Sequence, residues 1–272
     1  MNLQQLQTPA LLLDRTVLCR NLESMAARAR RLGVSLRPHV KTHKCVEVAS
    51  LQAACGAAGF TVSTLAEARV LADAGFHDLT WALPLPWPSI PAAVDLCREL
   101  RFRLLVDSED TARRLAQAAA AAGVRPHVWL KVDCGYHRAG VDPADPASVS
   151  LVRLLNRWAS LQFDGLLTHA GHAYHAPDAG ERLRIAVEER SAVLELATRA
   201  RKEGLSVPAL SLGSTPTMTI VEDLSDIDEV RPGNYAYFDL TQVALGSCGL
   251  KDVALSVLAT VISSSGSPAR AV

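Results

Sequence analysis

Leu18, Leu22, Met25, Ala29 and Leu32 recur at intervals of four, three, four and three residues, with Arg20, Glu23, Arg28 and Arg31 among the residues between them. That spacing places the five apolar side chains on one face of a helix, and Gly33 supplies a stop. The next stretch, 35–41 (SLRPHVK), predicts a short strand ending at Lys41, because Pro38 biases the residue before it toward extended geometry. The same unit then repeats. Strands are predicted over 59–63, 79–83, 102–106, 127–133, 163–169, 209–214 and 229–233, which with the Lys41 strand make eight. Helices are predicted over 65–74, 90–100, 110–122, 149–158 and 181–203, with a shorter one over 217–224.

Eight strands interleaved with helices over about 200–250 residues is the pattern of an α/β fold of the (β/α)8 TIM-type barrel class. A doubly wound open sheet is the competing layout, which periodicity does not separate from a barrel. No GxGxxG follows an early strand, and this weakens its dinucleotide-binding form. Two apolar segments flank the barrel: 9–14 (PALLLD) predicts a strand before the first helix and 253–262 (VALSVLATVI) one after the last. A turn is expected over 263–268, and the chain then stops inside what reads as another strand, so the sequence is expected to be cut short within a second, β-rich domain. The expected division is 1–14, N-terminal strand of the β domain; 15–245, barrel; and 246–272, start of an incomplete C-terminal β domain.

Charge narrows the function. With 28 Lys+Arg against 28 Asp+Glu the chain is formally neutral, without the basic blocks that drive nucleic-acid or membrane-surface binding. Apolar runs stop well short of the ~20 residues that span a bilayer, and the first 14 residues lack the regions of a signal peptide. A cytoplasmic protein with no nucleic-acid and no membrane partner is expected. The six cysteines, Cys19, Cys45, Cys55, Cys97, Cys134 and Cys248, have no CxxC pairing and signal neither a disulfide framework nor a zinc ribbon.

Barrel enzymes work at the C-terminal ends of their strands, and the residues there are polar. Lys41 lies among Arg37, His39, His43 and Lys44. Crowded cations and partial burial favour a neutral amine, as a Schiff-base lysine requires, although a solvated lysine in a basic cluster fits the composition as well. Gly213-Ser214-Thr215 and Pro232-Gly233-Asn234 fall at the last two strand ends, the usual phosphate position in barrels, where small residues let an anion approach. His169, His172 and His175 have an HxxHxxH spacing. A metal reading is set aside because His172 and His175 lie on loop backbone; His169 is expected to face a planar ligand, with the other two as loop polars. Cys134, beside Asp133, has no evident paired base for a catalytic thiol.

Seven segments taken together, 36–44 (LRPHVKTHK), 61–68 (TVSTLAEA), 133–141 (DCGYHRAGV), 167–174 (LTHAGHAY), 211–217 (SLGSTPT), 229–239 (EVRPGNYAYFD) and 252–262 (DVALSVLATVI), resemble the fold-type III pyridoxal-phosphate enzymes. The resemblance is to the branch of metal-dependent D-serine dehydratase and D-threo-3-hydroxyaspartate dehydratase, with D-threonine aldolase nearby. It implies Lys41 as the lysine that binds pyridoxal 5'-phosphate covalently, His169 at the cofactor ring, Arg138 near the phenolic oxygen and Arg231 facing the pyridine nitrogen. Tyr174 matches the tyrosine of the loop after the sixth barrel strand, and Ser214, Thr215, Gly233, Asn234 and Tyr235 match the phosphate cup. The implied reaction removes the β-hydroxyl and amino group of a small D-3-hydroxy amino acid, giving an oxo acid and ammonia. D-Threonine aldolase-type cleavage, and a cofactor-binding barrel without lyase activity, are the alternatives. The family binds Zn2+ in its second domain, whose ligands are expected to be absent here, so no metal residue is assigned. A homodimer is implied if that domain is complete.

Overall fold

Asp14 opens the first repeating unit. Its carboxylate accepts the N–H groups of Thr16 and Val17 and caps α1 (Arg15–Arg31), which buries Leu18, Leu22, Met25, Ala26 and Ala29. Before it comes β1 (Ala10–Leu13), and after it β2 (Ser35–Leu36). The computed structural model describes residues 3–265 and 270–271. The chain then runs through α2 (Val46–Ala54), β3 (Phe60–Val62), α3 (Leu65–Asp73), β4 (Asp78–Pro84), α4 (Ile90–Leu96), β5 (Arg101–Val106) and α5 (Glu109–Ala122). There follow β6 (His127–Lys131), α6 (Pro146–Arg157), β7 (Gln162–Leu167), α7 (Ala179–Lys202), β8 (Ala209–Leu212), α8 (Thr215–Met218), β9 (Glu229–Val230) and α9 (Leu240–Ala244).

The eight strands β2 to β9 are parallel and ordered β2-β9-β8-β7-β6-β5-β4-β3. The two ends of that order meet: His39 bridges Thr61, and the Ala58 and Thr61 amides each donate at 2.8 Å, to Leu36 and Pro38 respectively. The sheet therefore curls into a (β/α)8 barrel. Several predicted lengths differ, and two bear on the site. The strand expected to reach Lys41 pairs only over Ser35–Leu36 and at His39, because the chain winds into a 3-10 turn at Val40–Thr42. The helix expected over 217–224 is instead α8 (Thr215–Met218), started by the Ser214–Thr217 capping box.

Side chains alternate along each strand, so β5 and β6 present Arg103 and Leu105, and His127, Trp129 and Lys131, to one face. That face is the lumen. Leu105, Trp129 and Leu167 form a small apolar cluster separate from the main core between sheet and helices. At its N-terminal side is a charged layer: Arg37 bonds Glu229 at 2.5 Å and also Asp78, while Arg103 bonds Asp78 and, at 3.0 Å, Asp164. At the opposite mouth lie Lys131, His39, His169 and Arg231.

β1 pairs with β10 (Leu255–Leu258), antiparallel and apart from the barrel sheet. β11 (Ser264–Ser265) pairs with β12 (Arg270–Ala271), so pairing begins inside the segment expected as a turn; positions 266–269 lie outside the described residues.

Candidate active site

Lys41 is in the 3-10 turn rather than on a strand, and the His39 ring holds that turn: its Nδ1 accepts the Lys41 N–H at 3.3 Å while Nε2 meets the Ser63 hydroxyl at 3.3 Å. Lys41 keeps access to solvent. Burial, with the neighbouring Arg138 and, against the pull of Glu67, Arg231, brings its pKa below the ordinary lysine value. Burial and Lys41, followed by His169 and Arg231, hold His39 well below the usual imidazole range. His169 is held low in the same way, by burial and then by Lys131 and Lys41.

Arg231 is buried at the end of β9, donating to the Ser211 hydroxyl and the Thr168 carbonyl. Burial lowers its pKa to about 10, against the opposing effect of Glu229 and Glu189. Arg138 is exposed and lies 5.0 Å over the Tyr136 ring. Its loop is shaped by Asp133, which accepts from the Gly135 and His137 amides at 3.1 and 3.0 Å.

These groups line one cavity together with Ser63, Ala82, Leu83, Lys131 and Leu167. Four of its side chains, Lys41, Lys131, Arg138 and Arg231, are lysine or arginine, and none is a carboxylate. Lys131 was missed by the sequence argument. It is buried, and burial lowers its pKa to about 8. The available signal was a lysine closing the otherwise apolar run Val128-Trp129-Leu130.

The expected phosphate residues form a second group, joined to the first where His169 Nδ1 comes 3.4 Å from the Gly213 carbonyl. Thr215 is its hub: its hydroxyl accepts the Tyr235 N–H at 3.2 Å. Burial raises the pKa of the Tyr174 phenol, against the opposing effect of Thr215 beside it. The Ser214 hydroxyl caps α8 through Thr217. Asn234 donates to Asp239 at 2.7 Å and leaves its Oδ1 buried without a partner. The Tyr235 ring points away into the core, where its hydroxyl accepts from Gln52 at 3.1 Å, so only its backbone faces Thr215.

Among the described residues no group of three His, Cys, Asp or Glu side chains is placed to hold a metal ion. His172 stacks on Tyr136 at 5.6 Å and His175 is exposed, both in the 3-10 segment Gly171–His175. A His-x-Cys spacing exists at His43 and Cys45, unnoticed in the sequence argument. Its imidazole faces the Cys45 backbone and Gln52, at 3.2 Å each, and the thiol donates to Glu47. Cys134 is buried beneath the loop, and burial, with Glu189 next, pushes its thiol up to about 11.

The family model described as "Alanine racemase, N-terminal domain" matches residues 13–241. The chain is similar to D-threo-3-hydroxyaspartate dehydratase of Delftia sp. strain HT23, 41% identical over 94% of this chain and 68% of that protein. The solved structure of that dehydratase superposes with a TM-score of 0.92, at 40% identity, over 96% of this chain and 69% of the other. D-Serine dehydratase of Dictyostelium discoideum is 32% identical over 96% of this chain and 70% of its own length. D-Threonine aldolase from Filomicrobium marinum superposes with a TM-score of 0.84, at 30% identity, over 93% of this chain and 69% of its own.

Proposed function

The chain belongs to the alanine racemase N-terminal domain family, and from that premise we propose that it is a pyridoxal-phosphate-dependent lyase removing the β-hydroxyl and amino group of a small D-3-hydroxy amino acid. D-Serine and D-threo-3-hydroxyaspartate are the proposed substrates. The observation that carries the reading is the cavity at the barrel mouth, lined by two lysines and two arginines with no carboxylate among its residues. Such a donor set fits an aldehyde carrying a phosphate and a phenolate.

When bound, pyridoxal phosphate supplies an aldehyde for the substrate amine and an electron-poor ring that weakens the bonds at Cα. The protein's part follows from its own groups. The lowered pKa of Lys41 favours the neutral amine that a nucleophile requires, and its free Nζ would be the group to take a proton from Cα. Arg231 is held by Ser211 and the Thr168 carbonyl as a fixed cation, and it is assigned to the pyridine nitrogen. Arg138 is assigned to the phenolic oxygen and the neutral His169 to the ring face. Ser214, Thr215, Gly233, Asn234 and Tyr235 are assigned to the phosphate, with Tyr174 beside Thr215. Because the described residues present no set of three metal ligands, no step here is assigned to Zn2+.

The same lysine would serve cleavage of Cα–Cβ, and the likeness to D-threonine aldolase makes that the second reading. Product analysis separates them. From D-threo-3-hydroxyaspartate, dehydration releases oxaloacetate and ammonia, whereas aldol cleavage releases glycine and glyoxylate; glycine as the main product would overturn the first reading. The proposal also includes a β unit formed by residues 1–14 and 246–272, supported by the pairing of β1 with β10. A homodimer, if that second domain is complete, is proposed on the strength of the resemblance, and a cytoplasmic location is proposed with it. No helix among the described residues is long and apolar enough to cross a membrane.

A further inference from the structure

Glu189 lies on the apolar face of α7, packed in the row of Ile185, Ala186, Ala192 and Val193, and is fully buried. An ionisable group in such a row is costly to bury unless its oxygens are paired. Its Oε1 accepts two backbone amides, Ala170 at 2.7 Å and Gly213 at 3.1 Å, while Oε2 is buried without a hydrogen-bond partner. Those amides lie just past the end of the β7–β8 ladder, whose last rung runs from the Thr168 N–H to the Ser211 carbonyl at 2.9 Å. Ala170 follows His169 in the chain, and Gly213 precedes Ser214 and Thr215. The Gly213 carbonyl is itself the group 3.4 Å from His169 Nδ1. One carboxylate oxygen therefore joins the backbone that carries the ring-facing histidine to the turn that carries the phosphate residues.

We propose that Glu189 is a positioning residue of this site: by holding the Ala170 and Gly213 amides on one oxygen, it sets the distance between His169 and the turn at 213–215. This rests on the assignment of those residues to cofactor binding. Glu189 touches neither substrate nor cofactor. It acts through strand ends that would otherwise diverge once their ladder has stopped. Its charge also favours the protonated forms of Lys131 and Arg231.

The test uses the full chain and three variants. Glu189→Gln keeps an acceptor oxygen in place, Glu189→Leu removes it, and Glu189→Asp draws it back by one methylene. In cofactor-free protein, Glu189→Leu and Glu189→Asp are expected to speed hydrogen exchange of the Ala170 and Gly213 amides by about tenfold or more, while Glu189→Gln stays within about threefold of the parent. Titrated with pyridoxal phosphate, the first two variants should lose about tenfold in affinity and shift the near-visible absorbance maximum, and Glu189→Gln should recover both. Protected amides in the Asp variant would overturn the proposal even if the Leu variant does not fold. So would released amides with affinity and spectrum unchanged. A parent chain that binds no pyridoxal phosphate would refute the cofactor reading instead, and the exchange arm would still decide whether Glu189 clamps the two strand ends.

Discussion

Gly233 packs so closely on His39 that a Cβ added to it would stand 2.8 Å from the His39 carbonyl oxygen and 3.0 Å from the His39 Cβ. The contact spans the β2–β9 seam, two residues before Lys41. From its sequence position this glycine makes room for an anion; in the structure it also makes a tight backbone contact. Gly233→Ala should therefore act on the lysine turn. It is expected to cost about 1–3 kcal/mol of stability by overpacking and to weaken cofactor affinity along with it. Thermal unfolding and a cofactor titration on the same preparation check this. A variant with unchanged melting and lowered affinity would return Gly233 to a purely anion-facing role.

Lys41 and Lys131 line the same cavity, and both have lowered pKa values. Lys41 is the more accessible and lies on a turn held by His39, so it should carry the cofactor. Protein incubated with pyridoxal phosphate and reduced with borohydride should yield the labelled peptide at Lys41, and Lys41→Ala should stay colourless. A label on Lys131 would refute the assignment.

Strand and helix order was readable because each unit buries one face, and the intervals at Leu18, Leu22 and Met25 or the run Leu104-Leu105-Val106 state that directly. α2 was not readable: Val46, Val48, Ala49, Leu51, Ala53 and Ala54 leave no polar side to set a helical period. The cationic strand ends were visible as residue types. Their partners were not, since Glu189 reads as one more acid in a charged helix and Glu229 as the polar first residue of a short strand. Their role depends on which strands become neighbours on closing the barrel, and the sequence carries no local mark of that.

Lys131 also predicts a pH dependence. Burial lowers its pKa to about 8, below the ordinary lysine value. Between about pH 8 and about 10.4 the unfolded chain then holds a proton that the folded one has released, so this residue makes stability rise with pH over that window. Below about pH 8 both states are protonated and its burial cost is at its largest. Lys131→Met is expected to raise stability at pH 7 by about 2 kcal/mol, with the gain shrinking as pH approaches about 10. Denaturant unfolding of the pair at pH 7 and pH 9.5 measures it. A gain independent of pH would mean that methionine packing, not the charge, is responsible.

The last prediction concerns the opposite mouth. Arg231 donates to Ser211, Ser211 donates to Glu229 at 2.7 Å, and Glu229 accepts from Arg37, which also bonds Asp78. Asp78 is in turn the partner of Arg103, so two nearly buried guanidiniums share one aspartate. Burial works to raise the Asp78 pKa, but the hydrogen bonds and charges of Arg103 and Arg37 outweigh it and the net shift is downward. Asp78 therefore contributes stability that is present above the ordinary carboxylate range and is lost as pH falls below about 4 toward its folded-state value. Asp78→Asn should destabilise the fold at pH 7 by about 2–3 kcal/mol, toward the low end for a broken buried pair because the carboxylate is partly open to solvent. The acid limb of its stability curve should be shallower than the parent's. Arg231 keeps its own bonds to Ser211 and Thr168, so cofactor affinity per folded molecule should stay unchanged. A variant as stable as the parent would show that Arg37 and Arg103 are satisfied by Glu229 and Asp164 alone, whereas lost affinity in a fully folded variant would show that the chain of contacts transmits to the site.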